Sequence, residues 1–263
     1  MRAHGCIDSA GGLGADGHAC WGFDHEDEFT AAALEFLEDG LRHGQRLAYV
    51  GSEPVAEQRE RLAPLGDVGR MVDSGMLLLF ELGHLYRVGE PVDAEEQIAI
   101  YTAAADAALA EGYAGLRVAA QVTGLVAEPE TWEAHLRWES AADQVLAPKG
   151  LSALCGYRRA ELPAQLLSDL AAVHPAANQA ADSPFHLFGE GGDLVLSGEI
   201  DFFSRDSLER ALGYAGATAE PRALDLEALE FIDHHGFEAL AERGCDLHNP
   251  PPVVKRLSEL LAA

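Results

Sequence analysis

Apolar positions along this chain follow two alternating periods. Phe29, Ala33, Phe36, Leu37 and Leu41 fall on one face of a helix opening after Asp24. Asp27 and Glu28 sit in its first turn, where the positive end of the peptide dipole favours acid. Residues 46–50 (RLAYV) read as a short strand, and Pro54 opens a second helix reaching about Leu65. The apolar run at 76–80 has the length of a buried strand, and Asp93 is placed to cap a helix over 94–110 that Gly112 ends. A strand at 116–122 and a helix at 130–146, carrying Trp132, Leu136, Glu139 and Asp143, come next. A strand at 151–157 and a helix at 162–173, closed by His174-Pro175, complete the series. Such alternation predicts an α/β fold, a parallel sheet with helices on both faces.

The flanking stretches differ. Residues 1–17 are rich in glycine and small polar residues and read as a flexible lead-in. Residues 177–184 lack apolar periodicity and read as a linker. Beyond them the elements are shorter: a strand at 194–197, a helix at 205–212, a strand at 222–226, Phe231-Ile232, and helices at 236–243 and 253–261. The expected organisation is therefore a main α/β domain over 18–176 and a smaller α/β domain over 185–263.

Charge narrows the classes of partner. The 263 residues carry 44 Asp+Glu against 18 Lys+Arg, a net charge of −26. The deficit falls on both halves, −17 up to residue 183 and −9 after it. Phosphate backbones and anionic lipid surfaces attract clustered Lys and Arg, so neither nucleic acid nor a membrane surface is an expected partner. Cys6, Cys20, Cys155 and Cys245 are widely spaced, which suits reduced thiols in the cytoplasm rather than a secreted disulfide framework. No apolar run approaches a membrane span, and no signal peptide is visible.

Candidate chemistry is sparse. Gly11-Gly12-Leu13-Gly14 lacks the Gly-Lys-Ser/Thr of a phosphate loop, and Asp16 would repel phosphate. There is no G-x-S-x-G and no H-E-x-x-H, so no catalytic residue is assigned and no cofactor is expected. His18 and Cys20 are separated by one residue, and in an extended segment both side chains would point the same way. With Cys155 and His174 they can converge at the carboxyl ends of the strands, as metal ligands, as the polar corner of a small-molecule pocket, or as ordinary core residues. The aromatic residues of the first part, Trp21 and Tyr157 among them, line such a pocket or simply fill the core. In the second part Asp233-His234-His235-Gly236 opens a helix, a place for a partner contact or no more than a cap.

Two resemblances organise these residues. Leu196-Ser197-Gly198-Glu199-Ile200-Asp201, Leu224-Asp225-Leu226 and Phe231-Ile232-Asp233-His234-His235-Gly236 resemble the STAS domain of anti-sigma-factor antagonists. In that family a Ser or Thr before the glycine is phosphorylated by the partner kinase, itself the anti-sigma factor. Here His234 and His235 occupy the place, and neither offers a hydroxyl. The first part resembles the MEDS sensory domain of methanogen and methylotroph regulators. The matching words are His18-Ala19-Cys20-Trp21, Gly44-Gln45-Arg46-Leu47-Ala48-Tyr49-Val50, Gly112-Tyr113-Ala114-Gly115-Leu116-Arg117-Val118, Trp138-Glu139, Ala153-Leu154-Cys155-Gly156-Tyr157 and His174-Pro175. Where that family often has Glu after the Arg-Val strand, this chain has Gln121. The resemblance implies a RecA/KaiC-like sheet without its phosphate loop, and sensing of small, hydrocarbon-like molecules. The implied ligand residues are His18, Cys20, Trp21, Gln121, Cys155, Tyr157 and His174.

Taken together, these readings describe a non-enzymatic signalling regulator. A small-ligand or redox sensory domain would act on a STAS-like domain that binds a regulatory protein such as an anti-sigma factor and serine kinase. Two alternatives stand beside it: a metal- or thiol-dependent enzyme built on His18, Cys20, Cys155 and His174, and a decoy or scaffold STAS protein insensitive to the kinase.

Overall fold

The apolar strand segments assemble as their lengths and patterning require. The computed structural model describes residues 2–215 and 223–261. Met1, Arg222, where a strand is expected to begin, and 262–263 at the end of the second domain lie outside the described residues. Seven strands, β1 (Gly5–Ile7), β2 (His18–Phe23), β3 (Arg46–Gly51), β4 (Leu77–Glu81), β5 (Leu116–Gln121), β6 (Leu151–Arg158) and β7 (Ala176–Asn178), form one sheet in the order β1-β7-β2-β6-β5-β3-β4. Every pairing in it is parallel. The connecting helices are α1 (Glu26–Arg42), α2 (Val55–Arg61), α3 (Val68–Asp73), α4 (Leu82–Leu85), α5 (Ala94–Ala110), α6 (Trp132–Leu146) and α7 (Ala164–Ala172). Asp93 caps α5 by accepting from the Glu96 amide at 3.1 Å. At α1 the N-cap is His25 rather than Asp24, and Glu28 reaches back to both their amides.

Strand alternation divides the core into two layers. Ala19, Phe23, Leu47, Tyr49, Ala119 and Leu154 face α1, where Phe29, Ala33, Phe36 and Leu37 cover them. Cys20, Ala48, Val50, Val118, Ala120 and Cys155 face the other way, under α5, α6 and α7. The turn from β2 into α1 is only Asp24-His25, and α1 opens with Glu26, Asp27 and Glu28. Acid thus occupies the helix end that a phosphate would otherwise take.

Two expected loose segments are structured. Within the lead-in, β1 pairs with β7 at the sheet edge, and Ala10 and Leu13 are buried beneath α1. Small residues suit this packing better than they suit the mobility inferred from them. In the linker, β7 ends at Asn178, whose side chain bonds the Gly22 amide and carbonyl at 2.8 and 2.9 Å, and Ala181 is fully buried.

The remaining strands form a second sheet. β8 (Phe185–Glu190) and β9 (Asp193–Ile200) are an antiparallel hairpin turned by Gly191 and Gly192, whose φ values of 65° and 100° suit a tight turn. β10 (Ala223–Asp225), β11 (Leu229–Ile232) and β12 (Asp246–His248) join in parallel, with α8 (Arg205–Ala215), α9 (His234–Glu242) and α10 (Pro252–Leu261) around them. Leu187, Leu196, Leu208 and Leu212 belong to the same core as Leu166 and Leu170 of α7. Arg210 of α8 grips Asp169 of α7 at 2.8 and 2.9 Å. No helix among the described residues is long and apolar enough to cross a membrane.

Arg117 is the largest fully buried side chain. It donates to Phe36 O at 2.6 Å, Leu13 O at 3.0 Å, Gln45 Oε1 at 3.0 Å and Asp39 Oδ2 at 3.3 Å, and lies over the Phe36 ring. Burial lowers its pKa to about 10, against the opposing pull of Asp39. Removing one partner of a buried pair leaves the other charge uncompensated. Arg117→Ala should therefore cost about 3–5 kcal/mol in urea unfolding. The same change at exposed Arg87, paired with Glu96, should cost less than ~1 kcal/mol.

Candidate functional site

Helix α6 supplies the centre of the site. His135, Glu139 and Asp143 recur every fourth residue, share one helix face and are all buried against the sheet. Opposite them β2 contributes His18 and Cys20, and β6 contributes Cys155 and Tyr157, each at positions that alternate toward α6. His174 enters between α7 and β7, its Nδ1 donating to Leu170 O at 2.8 Å. The cluster lies on the face of the sheet beneath α6 and α7. It does not occupy the crevice at the carboxyl ends of the strands, where the sequence places it, because His18 begins its strand and Cys155 sits midway along its own.

Glu139 gathers the group. Its Oε1 accepts from the Tyr157 hydroxyl at 2.9 Å and lies 3.1 Å from His135 Nε2. Its Oε2 lies 3.3 Å from His18 Nε2 and 3.7 Å from Cys155 Sγ. His174 Nε2 stands 3.5 Å from the same oxygen without forming a hydrogen bond. His18 also approaches Cys155 Sγ at 3.5 Å through Nε2 and Asp143 Oδ1 at 3.2 Å through Nδ1. The His18 and His174 rings stack obliquely, 4.1 Å between centroids.

Burial opposes ionisation of Glu139, but the imidazoles of His135, His174 and His18 outweigh it and hold the carboxyl well below its ordinary range. Asp143 is likewise lowered, burial being outweighed by His18 and Arg2. At His18 burial works against the charged ring, and the bonds to Asp143 and Glu139 overcome it, raising the pKa. Burial and the charge of His18 lower His174. Burial, reinforced by Glu139, pushes the Cys20 and Cys155 thiols and the Tyr157 phenol well up. Low thiol reactivity is the consequence, which weighs against a redox sensor at these cysteines.

Beside the cluster is a cavity of about 40 Å³, room for something small. Val118, Ala120, Val122, Leu146 and Leu151 line it with apolar surface, while His18, Glu139, Asp143 and Cys155 make one polar wall. Tyr86 and Tyr101, whose hydroxyls are 3.0 Å apart, also line it, as do Arg2 and Trp138.

The structure brings together His18, Cys155, Tyr157 and His174, with Cys20 buried on the same sheet face. Trp21 falls on the opposite face, in the layer under α1, because its neighbours His18 and Cys20 take the near side. Gln121 leaves the site for the same reason, one residue out of phase with Ala120. Glu139, Asp143 and His135 are the additions. Their four-residue spacing on a stripe that also holds Leu136, Ala142 and Leu146 was the available signal, since polar residues on a core-facing stripe need partners.

The other candidate group is separate. Asp233 caps α9, accepting from the Gly236 amide at 2.9 Å. The rings of His234 and His235 lie 3.8 Å apart, and Phe202 packs on His235 at 5.1 Å. Phe203 beside it is 87% exposed, and Phe202 and Phe231 are also exposed.

Residues 17–175 match the family model described as MEDS, the MEthanogen/methylotroph, DcmR Sensory domain. Among solved structures, the flagellar accessory protein FlaH from Methanocaldococcus jannaschii is similar at 14% identity, covering 74% of this chain and 84% of that chain, with a TM-score of 0.43. No curated protein matches the chain.

Thiol labelling of the native protein should follow burial. Cys6 should react first and Cys245 more slowly, while Cys20 and Cys155 should remain unlabelled until denaturant is added. Mass-spectrometric mapping of the labelled sites reads this directly, and fast native labelling of Cys155 would refute the sealed geometry.

Proposed function

The chain belongs to the MEDS family over residues 17–175, and from that premise we propose a cytoplasmic, non-enzymatic regulator that binds a small molecule in the cavity beside Glu139 and answers through its second module. A sensory role in signalling follows from family membership. The finer reading is that 185–263 is STAS-like and docks on a regulatory protein, such as an anti-sigma factor of the serine-kinase type. The first module would be a RecA/KaiC-like sheet without a phosphate loop, a reading that the two-residue turn into the acidic end of α1 supports.

The observation that carries the proposal is the placement of Asp143. One of its oxygens meets His18 at 3.2 Å and Arg2 Nη2 at 2.7 Å, and the other accepts from the Gly189 amide at 2.8 Å. Arg2 also donates to Gly189 O at 3.1 Å. A single buried carboxylate therefore holds both a wall of the cavity and the β8–β9 hairpin of the second module. An occupant that draws His18 away changes what Asp143 offers to Gly189. Coupling of this kind transmits a signal only if the occupant binds the two arrangements unequally.

The exposed phenylalanines around His235 support a docking face, since exposed apolar patches mark interaction sites. Neither His234 nor His235 can accept a serine kinase's phosphate as a hydroxyl would, so control comes from the cavity.

Co-purification with candidate anti-sigma kinases from the source genome tests the docking half. Phe203→Asp should weaken capture at least tenfold, at roughly 1.4 kcal/mol per decade, while leaving the melting temperature unchanged. Short-chain alcohols and alkylamines serve as cavity probes. Asp143→Asn should preserve docking but abolish its response to them. Failure of every candidate kinase to bind, under all conditions, would remove the docking half of the proposal.

A further inference from the structure

Four donor atoms from four separate elements converge beneath α6. His18 on β2, Glu139 on α6, Cys155 on β6 and His174 beyond α7 each offer one atom, and these lie within 4.8 Å of one another. Their spacing is informative. An ion with bonds of roughly 2.0–2.3 Å in a tetrahedron holds its donors about 3.3–3.8 Å apart. His18 Nε2 to Glu139 Oε2 is 3.3 Å, His18 Nε2 to Cys155 Sγ 3.5 Å, His174 Nε2 to Glu139 Oε2 3.5 Å, and Cys155 Sγ to Glu139 Oε2 3.7 Å.

The surroundings orient each donor as a metal site requires. His174 donates its Nδ1 proton to Leu170 O, so Nε2 carries the lone pair, and that atom is buried without a hydrogen-bond partner. His18 turns Nδ1 to the Asp143 carboxylate, which frees Nε2 toward the centre. Tyr157 and His135 occupy Glu139 Oε1 and leave Oε2 available. Outer partners of this type fix the tautomers and ring directions of ligating groups.

We propose that His18, Glu139, Cys155 and His174 bind a zinc ion. Two neutral imidazoles, one carboxylate and one thiolate match the preference of that borderline ion and balance its charge. Magnesium and calcium, which take six or more oxygens, do not suit the set. Binding forms four metal–ligand bonds and expels the Cys155 thiol proton to solvent, along with the Nε2 proton of His18 when that ring is protonated. No electrons are transferred. The inference stands on donor geometry alone and goes beyond the docking reading.

Elemental analysis of the full chain, purified without chelator, should find about one zinc per molecule. After chelator treatment, cobalt(II) alone should give an intense tetrahedral visible spectrum with a thiolate charge-transfer band, both lost on adding zinc. Cys155→Ser should remove the charge-transfer band. Cys20→Ser, on the same sheet face but outside the donor set, should keep it. His174→Gln should weaken cobalt binding at least tenfold. A folded wild-type chain that carries no zinc and gives no tetrahedral cobalt spectrum overturns the proposal. So does a band lost with Cys20 and kept without Cys155. Should Cys155→Ser fail to fold, the wild-type and Cys20→Ser spectra still decide.

Discussion

A carboxylate sealed beneath a sheet must be matched in charge and in hydrogen bonds, and Glu139 sets that condition for the whole first module. Isolated, it would take up a proton or pull the core apart. Its position therefore dictates which side chains β2, β6 and the end of α7 turn toward α6, and each of them is constrained in turn. Tyr157 is held by its hydroxyl, His18 by Asp143 on its far side, and His174 by the Leu170 carbonyl. The polar cluster is thus a fixed frame on an apolar floor. Rigidity of this kind is what a binding site requires of its supporting shell.

The second module is tied into this frame more closely than its different strand pattern suggests. Asp143 reaches the hairpin, Arg210 reaches α7, and the leucines of both modules fill one core. A shift at the cluster has a short path to the hairpin, through a few buried bonds with little slack. The hairpin strand β9 pairs with β11, which leads through Asp233 into α9 and the exposed aromatic patch.

Much of this architecture was legible in the pattern of residues. Strands β3, β4, β5 and β6, with helices α1, α2, α5, α6 and α7, follow from the switching of periods, and Asp93 capped the helix it was expected to cap. What escaped was decided by long-range packing. The lead-in has no periodicity because it meets the sheet and core at irregular points, among them β1, Ala10, Leu13 and the Gly17 carbonyl, which accepts from the Ala153 amide. Strand β8 alternates weakly, being buried along most of its length. At the site, His18, Cys155 and His174 were recognisable by chemical type, but Glu139 and Asp143 were read only as positions spaced along a helix, with no role assigned. Only the fold shows that α6 turns these acids inward. Trip-ups at Trp21 and Gln121 have a simpler origin: adjacent residues on a strand cannot share a face.

The continuous hydrophobic interior has an evolutionary and engineering consequence. Sensory proteins are often diversified by exchanging an input unit for another on a common output. Here a cut near residue 182 would strip cover from Phe185, Leu187 and Leu170 together, all of which are buried in the intact chain. Either half alone would present a greasy scar to water and aggregate. Lineages carrying this arrangement are expected to inherit it whole, and chimeras will need their junction redesigned rather than merely spliced.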